Sequence, residues 1–468
     1  MKKNEELFYL IKSLTKSEKR YFRLSSKGGE DTEYLLLFDA IEAQKTYDET
    51  LIKTQFSDKA FINQLTTIKN YLKQRVLQSL RNYHAKISIQ AELISIIKNV
   101  EILFHKGLYT ICNSELKRAE KKAINFQQNV LLFQIKDWKR KVYQALHPQD
   151  FETLKDIITE QKQCLDSTTN YINLLLANTD PINASLSHKK TNHLQNKTLK
   201  ALHLYRKHLA SNNPKKAKQL IEKLIKEWEQ QPELLKEYFT TYFSVYNNYL
   251  GYLVFEKLYK EAFVRILFLK QKASEITVNS ASLIKEKLRL YNIELEIHRN
   301  LKDIHNTQEV IENIHGFIEE NKNVIPDNYW LSFRFQFANI YFQKRDFQKS
   351  LHWINDILNN MTKKDRKDLI TYTYWLNLLT HYELGNGFSM RYLIDALKKH
   401  IKKKKNIEVY EKLLLKLLSK TVELPEKAKK DAFGELALEL KKNPIPNFIL
   451  GYINFNQWIE QKYELYSL

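Results

Sequence analysis

The segment from Arg334 to Leu358, RFQFANIYFQKRDFQKSLHWINDIL, decides how the rest of the chain is read. Phe337, Ala338 and Tyr341 fall on one face of a helix at helical spacing. Lys344-Arg345-Asp346 breaks the pattern as a short turn, and Phe347, Ser350, Ile354 and Ile357 resume it in a second helix. So short a connection turns the chain back on itself, so the segment predicts an antiparallel helical hairpin.

The same arrangement can be laid over four other stretches. Val100, Leu103, Gly107, Tyr109, Cys112, Leu116 and Ala119 fit it, as do Tyr246, Leu250, Leu253, Tyr259, Ala262, Ile266 and Leu269. Looser matches run through Tyr205, His208, Ala217, Ile221 and Leu224, where Pro214 opens the second helix, and through Leu295, His298, Thr307, Ile311 and Ile314. The small residue of the second helix falls at Cys112, Ala217, Ala262, Thr307 and Ser350, at intervals of 105, 45, 45 and 43 residues. A period of this size is that of a helix-hairpin solenoid, and the longest interval leaves room for two more units.

Over residues 92–400 the pattern resembles the tetratricopeptide repeat (TPR). The resemblance implies close packing of paired helices through small residues, here Ala338 and Ser350, with Tyr341 and Phe347 wedged near the turn. It also implies a groove for a protein or peptide partner, with Tyr242, Tyr246, Tyr249, Phe335, Asn339 and Phe342 as its candidate lining. The carboxylate clamp of some family members is not expected, because Phe335 stands one turn before Asn339 where a cation is needed.

Composition supports an all-α chain. Nine glycines and eight prolines occur in 468 residues, where average usage would give about 30 and about 20. Hairpins, tight β-turns and phosphate loops draw on those two residues. With 43% hydrophobic and 28% charged residues the chain can bury a core. The expected organisation is an N-terminal helical domain over 1–88, TPR-like hairpins over 89–178, a polar linker over 179–192, and an α-solenoid with a C-terminal capping helix over 193–468. In the first domain Thr15-Lys16-Ser17-Glu18 is a capping box, Gly28-Gly29 marks a loop, and Ser57 or Asp58 opens a helix carrying Ile62, Leu65, Leu72, Val76 and Leu80.

The net charge of +21 favours anionic partners, although 61 of the 75 basic residues are Lys rather than base-reading Arg. No acid occurs between Asp180 and Glu222. A helix from about Thr191 to Ala210 would present His193, Lys197, Lys200, His203 and Lys207 as a cationic ridge, with Arg206 nearby. A second acid-free run, Lys59–Ala91, offers Lys69 and Lys73; a third, Lys398–Lys405, complements a helix C-terminus.

No nucleotide-loop, zinc-protease or nucleophile-elbow motif occurs, no two histidines stand four apart, and the only cysteines are Cys112 and Cys164. No enzyme activity, cofactor or metal is expected. The N-terminus lacks a signal-peptide core and no uncharged apolar run spans a membrane, so a cytoplasmic location is expected. These features point to an interaction scaffold for a protein or peptide. The alternative is a nucleic-acid-associated regulator whose basic N-terminal head binds DNA and whose repeats sense or dimerise. Exposed hairpin faces leave a homodimer open.

Overall fold

A computed structural model describes residues 5–26, 32–180, 193–276, 280–301, 304–361, 366–401, 407–421, 424–450 and 452–466. All regular structure among them is helical, and no described helix is long and apolar enough to cross a membrane. The chain divides into two compact units, Met1–Leu220 with Lys226–Tyr238, and Ile221–Ile225 with Phe239–Leu468.

The first unit begins with α1 (Glu6–Ser13), α2 (Lys16–Ser25), α3 (Thr32–Ala43), α4 (Glu49–Gln55), a 3-10 turn at Ala60–Gln64 and α5 (Leu65–Tyr83). These close around a core of their own that includes Ile11, Phe22, Leu37, Phe38, Ile41, Ile52 and Leu72. The capping box forms as expected: the Thr15 hydroxyl accepts from the Glu18 amide at 3.2 Å, and the Thr15 amide donates to the Glu18 carboxylate at 2.6 Å. The expected helix from residue 57 or 58 starts later, at Leu65, because the 3-10 turn seats Phe61 in the core first. The Gly28-Gly29 loop lies outside the described residues.

Longer helices follow, α6 (Ile89–His105), α7 (Tyr109–Asn125), α8 (Asn129–Leu146), α9 (Phe151–Thr179), α10 (Leu194–Ala210) and α11 (Pro214–Glu229), and then the short α12 (Pro232–Glu237). Lys136 of α8 is buried, and its ammonium reaches Glu120 of α7 and Glu160 of α9. The linker expected at 179–192 is not where the units part. Residues 181–192 lie outside the described residues, but α9 and α10 on either side pack together, with Asn178 Nδ2 donating to the Leu199 carbonyl at 3.0 Å.

The second unit contains α13 (Phe239–Phe255), α14 (Tyr259–Ser274), α15 (Ala281–Leu301), α16 (Ile304–Glu320), α17 (Asp327–Gln343), α18 (Phe347–Asn360), α19 (Lys367–Glu383) and α20 (Gly387–Ile401). It ends with α21 (Val409–Thr421), α22 (Glu426–Lys442), α23 (Asn447–Leu450) and α24 (Phe455–Leu465). α17 carries apolar residues on two faces because it divides two cores: Phe333, Phe337 and Ile340 face one, while Leu331, Phe335, Ala338 and Phe342 face the other.

One turn recurs through both units. Gly107, Gln127, Asn212, Lys257, Arg345 and Gly385 all take the left-handed conformation, with φ between 53° and 71°. Behind each, the next residue's amide bonds back to the carbonyl five residues earlier, as from Leu108 to Leu103 (3.0 Å), Leu258 to Leu253 (2.8 Å) and Asp346 to Tyr341 (3.0 Å). This is the Schellman closure of a helix end. Five residues beyond these turns lie Cys112, Ala217, Ala262 and Ser350, all fully buried. Across two hairpins the small side chain donates to the facing helix, Cys112 Sγ to the Val100 carbonyl at 3.6 Å and Ser350 Oγ to the Ala338 carbonyl at 2.9 Å. Both cysteines are reduced and buried, and burial raises both thiol pKa values.

Candidate functional site

The expected aromatic groove does not exist as a surface. Tyr246, Tyr249, Phe335, Asn339 and Phe342 are all buried, as is Tyr242. The Tyr249 hydroxyl lies 2.9 Å from the carboxylates of both Glu222 and Glu261, which share its one proton as acceptors. The face of α17 that carries Phe335 and Asn339 is covered by the C-terminal segment. Asn339 Nδ2 donates to the Tyr452 carbonyl at 2.6 Å, and the Tyr452 ring lies edge-on to Phe335 and stacks on Tyr372 at 4.6 Å. A helix with apolar residues on two faces finds a neighbour for each, so the aromatics on both become core.

The cationic ridge is also broken up. The helix begins at Leu194, and His203 is 1% exposed, its Nδ1 3.1 Å from the Ala177 carbonyl. Two faces of α10 are covered, because Trp228 of α11 also donates to Thr198 Oγ1 at 3.0 Å. His193 is half-buried, and burial lowers its pKa. Lys197 pairs with Glu227 at 3.1 Å, and Arg206 donates to the Asn178 carbonyl and side chain at 3.3 Å. Lys207 is exposed and Lys200 half-buried.

In the N-terminal head Lys69 donates to Tyr47 at 2.7 Å and to Glu49 at 3.0 Å, and Lys73 to Glu6 at 2.5 Å. These two expected anion-binding residues thus serve internal ion pairs. Lys398 and Lys399 close the last turn of α20, and Lys402–Lys405 lie outside the described residues.

The structure instead assembles a cleft of about 460 Å³ from three helices of the second unit. Gln308, Glu312, His315 and Glu319 recur at four- and three-residue spacing along one face of α16. Trp330, Arg334 and Tyr341 of α17 form its floor, and Lys349, His352, Trp353 and Asp356 of α18 its far wall. Trp330 and Trp353 meet edge to face at 6.2 Å, and His315 sits within 5.5 Å of both rings. Phe337 anchors Trp353 from the core side at 5.1 Å.

Charge in the cleft is ordered by neighbours. The Arg334 guanidinium lies 4.3 Å over the Trp330 ring, and its Nε lies 2.7 Å from Asp356 Oδ2. That N–H is not aimed at the carboxylate, so the contact is Coulombic rather than a hydrogen bond. Lys349 reaches Gln308 Oε1 at 3.0 Å and lies 5.4 Å over Tyr341. Burial, with Glu312 and Asp346 nearby, raises the Tyr341 pKa, so the ring keeps its hydroxyl proton.

Half-buried tryptophans flanked by a stacked arginine provide apolar anchorage and directional polar groups together, the make-up of protein-interface hot spots. Among the described residues no group of three His, Cys, Asp or Glu is placed to hold a metal ion. Six of the cleft residues lie inside the segment quoted first, yet sequence reasoning assigned binding to the opposite face of α17. The available signal was Trp330 and Arg334 one turn apart, on the face away from Phe335. Comparison with protein-family models, curated proteins and solved structures found no match to this chain.

Proposed function

We propose that this chain is a TPR-like α-solenoid of helix hairpins acting as a non-catalytic scaffold, and that it holds a protein or peptide partner in the cleft of α16, α17 and α18. The observation that carries the reading is the half-buried Trp330–Trp353–Arg334 cluster open at that cleft. The repeated left-handed turns and the in-phase small residues support the hairpin array. Two buried thiols suit a reducing compartment, and the cytoplasm is the location we infer.

The test is affinity capture from native lysate with the full chain, the Trp353→Ala variant and the exposed-rim variant His352→Glu. Truncating a hot-spot tryptophan costs about 2 kcal/mol or more, about 30-fold in affinity. A partner retained by the parent chain and lost from both variants supports the reading. Capture unaffected by either substitution refutes it.

The nucleic-acid regulator has less support. Lys69 and Lys73 of its head are engaged with Glu49 and Glu6, and the net charge of +21 is what remains of the case. DNA binding that exceeds heparin binding and persists from about 100 to about 300 mM salt would restore it.

A further inference from the structure

α9 is the longest of the described helices. Its 29 residues span about 43 Å, whereas its neighbours α8 and α10 have 18 and 17 residues. One stripe, through Ile157, Cys164, Leu174 and Ala177, is buried in the first unit. Beside it runs a second apolar stripe with solvent over it. Phe151, Ile158, Leu165 and Ile172 stand seven residues apart and are 72%, 47%, 49% and 50% exposed.

Three residues beyond each come Leu154, Gln161, Thr168 and Leu175, half-buried or exposed. Together these fill the a and d positions of four heptads. A helix lying only on its own domain follows a period near 3.6 and gives no reason for an exposed apolar residue at every seventh position. A 3.5-residue period keeps one seam facing a second helix along its whole length.

We propose that α9 is a coiled-coil seam through which two copies of this chain associate as a parallel dimer. The a positions hold Phe151, Ile158, Leu165 and Ile172 and the d positions Leu154, Gln161, Thr168 and Leu175; isoleucine at two a and leucine at two d positions are the choices that favour two parallel strands. A parallel pair sets each residue opposite itself, so Gln161 meets the partner's Gln161, an amide pair that fixes register.

The area also suffices. At about 200 Å² for a fully exposed large apolar residue, of the order of an aromatic side chain, Phe151, Ile158, Leu165, Ile172, Leu175 and the flanking Leu176 offer up to about 600 Å² per copy at their 41–72% exposure. Two copies bury about 1,200 Å², the lower end of stable specific interfaces. The seam lies in the first unit, so this inference is independent of the cleft.

The test is sedimentation equilibrium of the full chain from about 1 to about 50 μM. A mass twice the 55.9 kDa of one chain is expected, with association at least 30-fold weaker in Ile158→Glu/Leu165→Glu. Both positions are about half exposed, and circular dichroism confirms that the variant keeps its fold. Leu165→Cys should give a covalent dimer on mild oxidation. A parent chain still monomeric at 50 μM overturns the proposal. So does a dimer that survives the double substitution or resists cross-linking at position 165.

Discussion

The left-handed turn residues make a prediction in which replacing a lysine by glycine strengthens the protein. Gly107 and Gly385 hold φ of +71° and +70°, and a Cβ built on either meets nothing within 4 Å. Any cost of Gly385→Ala is therefore conformational rather than steric. Placing an L-residue in that basin costs about 1–2 kcal/mol, partly offset by about 0.5 kcal/mol from the stiffer unfolded chain. The net loss is about 1 kcal/mol. Lys257 stands at the equivalent turn with φ of 59° and is exposed, so Lys257→Gly should gain about 0.5 kcal/mol, the lower end of the basin's cost, about 1 kcal/mol, less about 0.5 kcal/mol for the looser unfolded chain. A chain with several cores need not unfold in one step, so local rather than global unfolding is the proper readout. Native-state hydrogen exchange should be about fivefold faster in α19 and α20 of Gly385→Ala, and about twofold slower in α13 and α14 of Lys257→Gly. Unchanged exchange in the alanine variant, or faster exchange in the glycine variant, would refute the argument that backbone geometry alone sets these positions.

Three further outcomes are expected. Lys136→Met should destabilise the first unit by about 2 kcal/mol, because Glu120 loses its buried partner and keeps only Lys139 at 3.1 Å; a melting temperature unchanged by the substitution would contradict this. Glu49 is held down to about 2 by hydrogen bonds from Lys69 and then Lys53. Its stabilisation is thus complete above the usual 4.5 and lost as pH falls toward 2. The side chain is 34% exposed, so Glu49→Gln should cost only about 1 kcal/mol at pH 7, with the difference from the parent chain narrowing below pH 4.5 in urea titrations. His203→Ala should lower stability through the lost Ala177 contact yet leave heparin binding unaltered, whereas Lys207→Glu should weaken heparin binding without destabilising the fold.

The helices were legible because their signals are local. Thr15 and Glu18 specify a helix start within four residues, and the Lys344-Arg345-Asp346 turn is announced by apolar spacing on both sides. The positions Cys112, Ala217, Ala262, Thr307 and Ser350, singled out by their small side chains, are all buried. Which helix faces are covered was not legible, since that depends on distant residues. Tyr452 lies 113 residues from Asn339 and turns an expected groove into core. His203 sits on the polar-looking side of α10, and only the carbonyl of Ala177, 26 residues earlier, makes its burial tolerable. The cleft escaped notice because aromatic residues on α17 were read as belonging to one face, while α17 packs against neighbours on two. The heptads of α9 are visible in the sequence, but their exposure is a property of the fold alone.

The two buried cysteines give the first unit an internal clock. A buried thiol, its pKa raised by burial, reacts with an alkylating reagent chiefly while the helices around it are parted. Cys112 lies on α7 and Cys164 on α9, so each reports the opening of a different part of the same unit. Equal labelling rates would mean that α6 to α9 part as one body. Unequal rates would order the steps of their separation. Cys164 also borders the exposed heptad stripe, so pairing of two chains along α9 would slow its reaction and leave that of Cys112 unchanged.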